Sequence, residues 1–250
     1  MATQPPWASG PGEILKHGLE LLKKDTDANR RLAMISIDNA VELMMKTYLG
    51  LPLRVTGLKI SRSEYQEFAE SFPTLLDALE KYASEKLEGI NLGEIEWYHR
   101  IRNELYHQGN GLTVERDKVE VYAELANVLF ANLFGFRLVE PKENGAILLG
   151  EFMQAWVNFE KTLVDAASLL RTVDAHGRPA LHVLDFLAGE RLISRAELSE
   201  IDQIRQIRNQ VIHGVLNYKD ALRPELTKRL ISITNELRNR LQVGRKESAT

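Results

Sequence analysis

Arg102-Asn103-Glu104-Leu105-Tyr106-His107 and Arg208-Asn209-Gln210-Val211-Ile212-His213 present the same three polar residues at the same spacing. The copies lie 106 residues apart (208 less 102). At that offset Leu92 matches Leu198, Glu94 matches Glu200, Ile95 matches Ile201 and Ile101 matches Ile207, while Glu96 faces Asp202. Interleaved apolar matches at a fixed offset mark a duplicated structural unit. A three-residue match arises by chance at about one position in 8,000, so two in register with matching flanks point to duplication.

On a helix, five residues advance by about 500°, which sets the Arg and His of each motif about 140° apart around the axis. Both can border one groove without pointing at one spot. Asn and His stand at i and i+4 on a shared face, where the amide is expected to orient the imidazole and select its tautomer. Two such motifs together supply two imidazoles and two guanidiniums, a set suited to phosphodiester transfer in RNA. One imidazole takes the proton of the ribose 2′-OH and the other protonates the departing 5′-oxygen. The guanidiniums bind the phosphate and stabilise the charge that develops on it. The products would be a 2′,3′-cyclic phosphate and a 5′-OH, and DNA would resist.

Arg-Asn-x-x-x-His near a helix end, in a bundle of four helices, resembles the HEPN superfamily. The resemblance implies a metal-independent endoribonuclease of the kind found in toxin–antitoxin, anti-phage and CRISPR systems, with a composite site built from two motifs. Carried over by position, Arg102, Asn103 and His107 form one half-site, and Arg208, Asn209 and His213 the other. Toxins of this kind that are silenced by a nucleotidyltransferase carry a Tyr two residues beyond the motif His. Gly109 and Val215 stand there, so the resemblance does not extend to that control. It does imply a protein partner, such as an antitoxin, a sensor or a defence-complex subunit. His99 and Arg100 beside the first motif, and Arg205 beside the second, are candidate substrate-binding cations; Trp97 is a candidate platform for a base. Glu96–Arg100 also fits an ordinary i,i+4 ion pair.

The elements that must position these groups read as helices. Phe72, Leu75, Leu76, Leu79 and Ala83 recur at helical spacing, as do Val121, Leu125, Val128 and Leu129. Phe152, Trp156, Phe159, Leu163 and Leu170 form a third stripe, and Leu226, Leu230, Ile233, Leu237 and Leu241 a fourth. Each half orders its elements alike. A long helix (28–49, 147–172) precedes a shorter one holding Leu-Asp (Leu76-Asp77, Leu184-Asp185), then the motif helix (92–108, 195–213) and a final long helix (114–135, 222–242). The expected fold is all-α: two tandem four-helix up-and-down bundles packed as an intramolecular pseudo-dimer. The boundaries read as a flexible tail over 1–12, a first domain over 13–139, a linker over 140–146, a second domain over 147–243 and a tail over 244–250. The first domain carries an extra helix near 13–24 and an insertion near 50–71, in which Leu51 to Ile60 reads as a short strand or a loop. Ser194-Arg-Ala-Glu197 fits a capping box and Asn91-Leu-Gly-Glu94 a looser version of it. Glu94, Glu96, Glu200 and Asp202 then fall where the helix dipole favours negative charge.

The net charge of −3 gives no global field for nucleic acid, so a polyanion site must be a local patch. No cysteine is present, which removes disulfides and thiolate metal sites and fits a reducing compartment. No secretory signal or run of ~18 apolar residues appears, and the chain reads as cytoplasmic with no membrane partner. No cofactor or metal is expected: His17, His176 and His182 show no ligand spacing, and no phosphate loop or dinucleotide fingerprint occurs. RNA is the expected substrate, and a homodimer would allow the motifs to pair between chains. Two other readings use the same residues: a non-catalytic scaffold in a larger defence complex, and a nucleic-acid binder without chemistry.

Overall fold

The computed structural model describes residues 5–107, 112–138, 144–170 and 183–247, and among these every regular element is helical. The chain folds as two compact units, Met1–Pro141 and Lys142–Thr250.

Unit 1 begins with α1 (Pro6–Lys23) and α2 (Asp27–Gly50), which pack closely along each other. Residues 6–12, read from their Pro and Gly content as a tail, are instead the first turns of α1. Proline is tolerated at a helix start, where its missing N–H has no intrahelical acceptor to lose, and Pro6 occupies that position. Thr26 caps α2 through its hydroxyl, which accepts from the Asn29 amide. The close approach of α1 and α2 depends on Gly18. A Cβ there would lie 2.9 Å from Ile37 Cγ1 and 3.3 Å from both the Ala33 carbonyl oxygen and the Ile37 nitrogen. Two of those neighbours are backbone and cannot rotate aside. Gly18→Ala should therefore lower stability by roughly 1–2 kcal/mol, strain outweighing the gain in helix propensity. Urea unfolding of the two proteins checks this.

The segment from Leu51 to Ile60 forms neither a strand nor a plain loop. It contains α3 (Leu53–Thr56), ended by Gly57 at φ 77°. Next come α4 (Arg62–Phe68), opened by the Ser61–Glu64 capping box, and α5 (Phe72–Ala83), capped by Ser71. A short 3-10 turn (Ser84–Lys86) leads to the motif helix α6 (Leu92–His107) and then to α7 (Arg116–Phe134), stopped by Gly135 at φ 83°. α2 is the central element: α1, α5, α6 and α7 all pack on it. Its inward positions carry Met34, Ile37, Val41, Met44 and Met45, all fully buried, and among them the carboxylate of Asp38.

Unit 2 comprises α8 (Asn144–Leu169), α9 (Val183–Gly189), the motif helix α10 (Arg195–Ile212), α11 (Tyr218–Ala221) and α12 (Pro224–Glu247). Several helix ends differ from the sequence reading by a few residues. The helix expected from 147 starts at Asn144, and α12 continues to Glu247 through the start of the segment read as a tail. The apolar stripes are the core: Phe152, Trp156, Phe159, Leu163, Leu230, Ile233 and Leu237 are buried, while Leu170, Leu226 and Leu241 at the stripe ends are partly exposed.

Ion pairs hold the start of α10 to α12: Arg229 with Glu200, and Arg240 with Glu197. Arg240 donates to both carboxylate oxygens of Glu197 at 3.0 Å each, and the Ser194 amide and hydroxyl complete a capping box with the same residue. Burial alone would raise the Glu197 carboxyl, but the Arg240 guanidinium and the Ser194 donors outweigh it and hold the group down at about 2. A carboxylate depressed in the folded state stabilises above its unfolded value, and that stabilisation is lost as pH falls through the folded value. Unit 2 should hold the full contribution above about pH 4.5 and lose it between there and pH 2, an effect of about 1–3 kcal/mol. Urea midpoints measured across that window should fall in the native protein and fall less in Arg240→Met.

Among the described residues, no helix is long and apolar enough to cross a membrane.

Candidate functional site

The two motif helices place their three polar residues in the same local pattern. Arg is turned inward, Asn holds the guanidinium, and His stands exposed at the helix end. Arg102 Nη1 donates to Asn103 Oδ1 at 2.8 Å, and Arg208 Nη1 to Asn209 Oδ1 at 3.3 Å. The expectation that the amide orients the imidazole is thus corrected for its oxygen. A charged guanidinium on the adjacent residue is the stronger donor, and it takes that acceptor. His107 is the last residue of α6 and His213 the C-cap of α10, and both are exposed. Gly214, at φ 66°, stops the second helix in the left-handed conformation that glycine adopts without strain. The Gly-rich stop expected after His107, Gly109 included, lies outside the described residues.

What anchors each guanidinium differs between the units, and sequence reading missed the first anchor. In unit 1 it is Asp38, fully buried in the middle of α2. Its Oδ1 accepts from the Tyr122 hydroxyl at 2.8 Å, and its Oδ2 faces His99 Nδ1 at 2.9 Å and Arg102 Nε at 3.3 Å. The Arg102 contact is a Coulombic pair more than a directed hydrogen bond, because Nε–H is not aligned on the oxygen. Arg102 Nη2 donates separately to Asn39 Oδ1 at 2.6 Å. A buried carboxylate persists only when paired and hydrogen-bonded, and α6 and α7 together supply those partners. Tyr122 is itself buried and stacked on Tyr98 at 4.4 Å with rings 9° apart. Burial first, and the adjacent Asp38 charge second, push its phenol well above the ordinary range, so it remains a donor.

His99, read from the sequence as a substrate cation, is directed inward. Its Nδ1 is hydrogen-bonded to Asp38 Oδ2 at 2.9 Å, and the ring lies flat on Phe72 at 3.7 Å and 4°. A signal for Asp38 existed in the sequence: it is a carboxylate at an inward position of a helix whose neighbouring inward residues are all apolar.

In unit 2 the guanidinium of Arg208, only 4% exposed, lies over the Trp156 indole at 5.5 Å. The indole N–H in turn donates to Glu160 at 2.7 Å. The aromatic residue predicted as core is therefore also a cation–π partner for the motif arginine. Both motif arginines are thus packed into their units: Arg102 beside a buried carboxylate, Arg208 over an indole face.

The remaining predicted positions fall into exposed ion pairs and packed rings. Arg100 is exposed and paired with Glu96 at 2.5 Å; Arg205 is exposed and paired with Asp202 at 2.8 Å. Trp97 packs edge-on against Tyr98 at 4.8 Å and is partly exposed. His17 is exposed, and His176 and His182 lie outside the described residues. Among the described residues no group of three or more His, Asp or Glu side chains is disposed to hold a metal ion. A concavity of about 810 Å³, walled by the end of α2 with α3 and α4, is lined by residues other than the motif's.

No family model matches the chain, and no curated protein or solved structure matches it. The functional reading therefore rests on the motifs themselves.

Proposed function

We propose that this chain is a metal-independent endoribonuclease of the HEPN type, with Arg102, Asn103 and His107 as one half of its chemistry and Arg208, Asn209 and His213 as the other. The observation that carries the reading is the duplicated local pattern: an exposed imidazole at a helix end, beside a guanidinium held by its neighbouring Asn. One imidazole accepts the 2′-OH proton while O2′ attacks phosphorus. The other gives a proton to O5′ as the P–O5′ bond breaks, leaving a 2′,3′-cyclic phosphate and a 5′-OH. The guanidiniums act on the phosphate charge; each is pre-set by its neighbours, and such preorganisation lowers the reorganisation cost at the moment of reaction. The same resemblance extends the proposal to a toxin or anti-phage effector held in check by a protein partner.

A second reading is favoured by a specific observation. Arg208 is buried against Trp156, and Arg102 is tied to a buried carboxylate. Both guanidiniums thus have structural employment that a non-catalytic scaffold would need equally.

Incubation of the purified protein with tRNA and total RNA in EDTA separates the two. Cleavage with cyclic-phosphate ends is the expected result. Intact RNA, both with and without partner proteins recovered by pull-down, would favour the scaffold.

A further inference from the structure

Tyr106 is 62% exposed, the second most exposed of the large hydrophobic side chains described. The ring is thus open to solvent one residue before a motif histidine, where a ligand can reach it. Its surroundings narrow the contact. The Arg102 guanidinium lies 5.4 Å from the ring centroid, and the His107 imidazole stands 5.2 Å away at 85°. Arg102 is itself fixed by Asp38, Asn39 and Asn103, so the ring has both a set cation and an exposed imidazole beside it. The duplicated position in unit 2 is Ile212, which is fully buried. The exposed ring thus belongs to one motif only, and helix geometry common to both does not account for it.

We propose that Tyr106 is the base-stacking platform of the unit 1 motif, the side chain that seats a nucleobase beside Arg102 and His107. The inference rests on the ribonuclease reading and deepens it. A π-face recognises a nucleobase of any identity, but only one that is free of its own stack, so a duplex is poorly held. Bound there, a nucleotide would carry its phosphate and 2′-OH beside Arg102 and His107. Trp97, expected for this role, is instead packed against Tyr98.

The test uses the full chain and a 2′-O-methyl oligouridylate, whose blocked 2′-oxygen permits binding without cleavage. Fluorescence anisotropy is read for the native protein, Tyr106→Phe and Tyr106→Ala, with the oligonucleotide single-stranded and annealed to its complement. Stacking energies imply that Tyr106→Ala binds roughly 5- to 150-fold more weakly, that Tyr106→Phe stays within about twofold, and that the duplex binds at the Tyr106→Ala level. Equal affinity of native protein and Tyr106→Ala, a preference for the duplex, or no binding by the native protein would each overturn the proposal. Unmodified RNA is then offered to the same preparations. Binding that depends on Tyr106 without any cleavage defeats the ribonuclease reading alone. Cleavage whose kcat/KM is unchanged in Tyr106→Ala defeats the platform alone.

Discussion

Replacing either His107 or His213 with alanine is expected to lower RNA cleavage by about 10²–10⁴-fold, the usual contribution of a positioned acid or base. In the proposed mechanism the two imidazoles divide the labour. Attack by O2′ with departure of O5′ needs one group that accepts a proton and one that gives it, and the chain has one exposed imidazole per motif. The double variant should be no more than modestly worse than the worse single variant, because residues that act as a unit do not add. Initial rates on a defined single-stranded substrate, with circular-dichroism melts to verify folding, measure this. Both side chains are exposed, so the variants should fold normally. A rate that falls in one variant only would mean a single-motif site, and unchanged rates in both would remove the imidazoles from the chemistry.

Asp38→Ala should cost unit 1 about 3–5 kcal/mol, the loss expected when one partner of a buried charged network is removed and the others stay buried. The Tyr122 hydroxyl and His99 Nδ1 lose a hydrogen-bond partner, and the Arg102 guanidinium loses a charge partner, all at once. Tyr122 is the worst placed of them, since no water reaches it to replace the bond. Asp38→Asn keeps the volume and one acceptor oxygen, so it should cost less than Asp38→Ala. Denaturant unfolding followed by tryptophan and amide signals gives both values. A loss below about 1 kcal/mol for Asp38→Ala would mean that the carboxylate does not organise the three groups. Cleavage should also decline in Asp38→Asn at temperatures where the protein remains folded, because Arg102 would lose the contact that aims it.

Helices were legible wherever apolar residues recurred at helical spacing, since a stripe such as Phe72, Leu75, Leu76 and Leu79 has one way to be buried. Composition misled at the N-terminus, where Pro and Gly suggested a tail; Pro6 sits at the helix start, Pro11 is buried inside the helix, and α1 packs along α2. Leu53–Thr56 is a single helical turn, too short for any period to reveal. The Arg, Asn and His of each motif were readable because they lie on one helix. Their anchors were not, because Asp38 and Trp156 stand on helices distant in sequence, and no local pattern links a carboxylate on α2 to a guanidinium on α6. His99 illustrates the same limit. Its neighbours in sequence suggest a surface cation, while its neighbours in space are Asp38 and Phe72.

The reach of the Asp38 network along the chain has a consequence for how the protein comes into being. His99 lies 61 residues beyond Asp38 and Tyr122 lies 84 beyond it. Closing loops of that length is an entropic cost met late in folding, after local helices have formed. Chains are made from the N-terminus, so a nascent protein that has exposed the whole first motif still lacks Tyr122, the donor that completes the carboxylate's shell. The partners of Arg102 itself, Asp38, Asn39 and Asn103, precede α7, but the carboxylate among them gains its Tyr122 bond only once α7 has docked on α2. In a chain proposed to cut RNA with two motifs, the carboxylate that holds the first arginine is thus fully bonded before the second motif has been made.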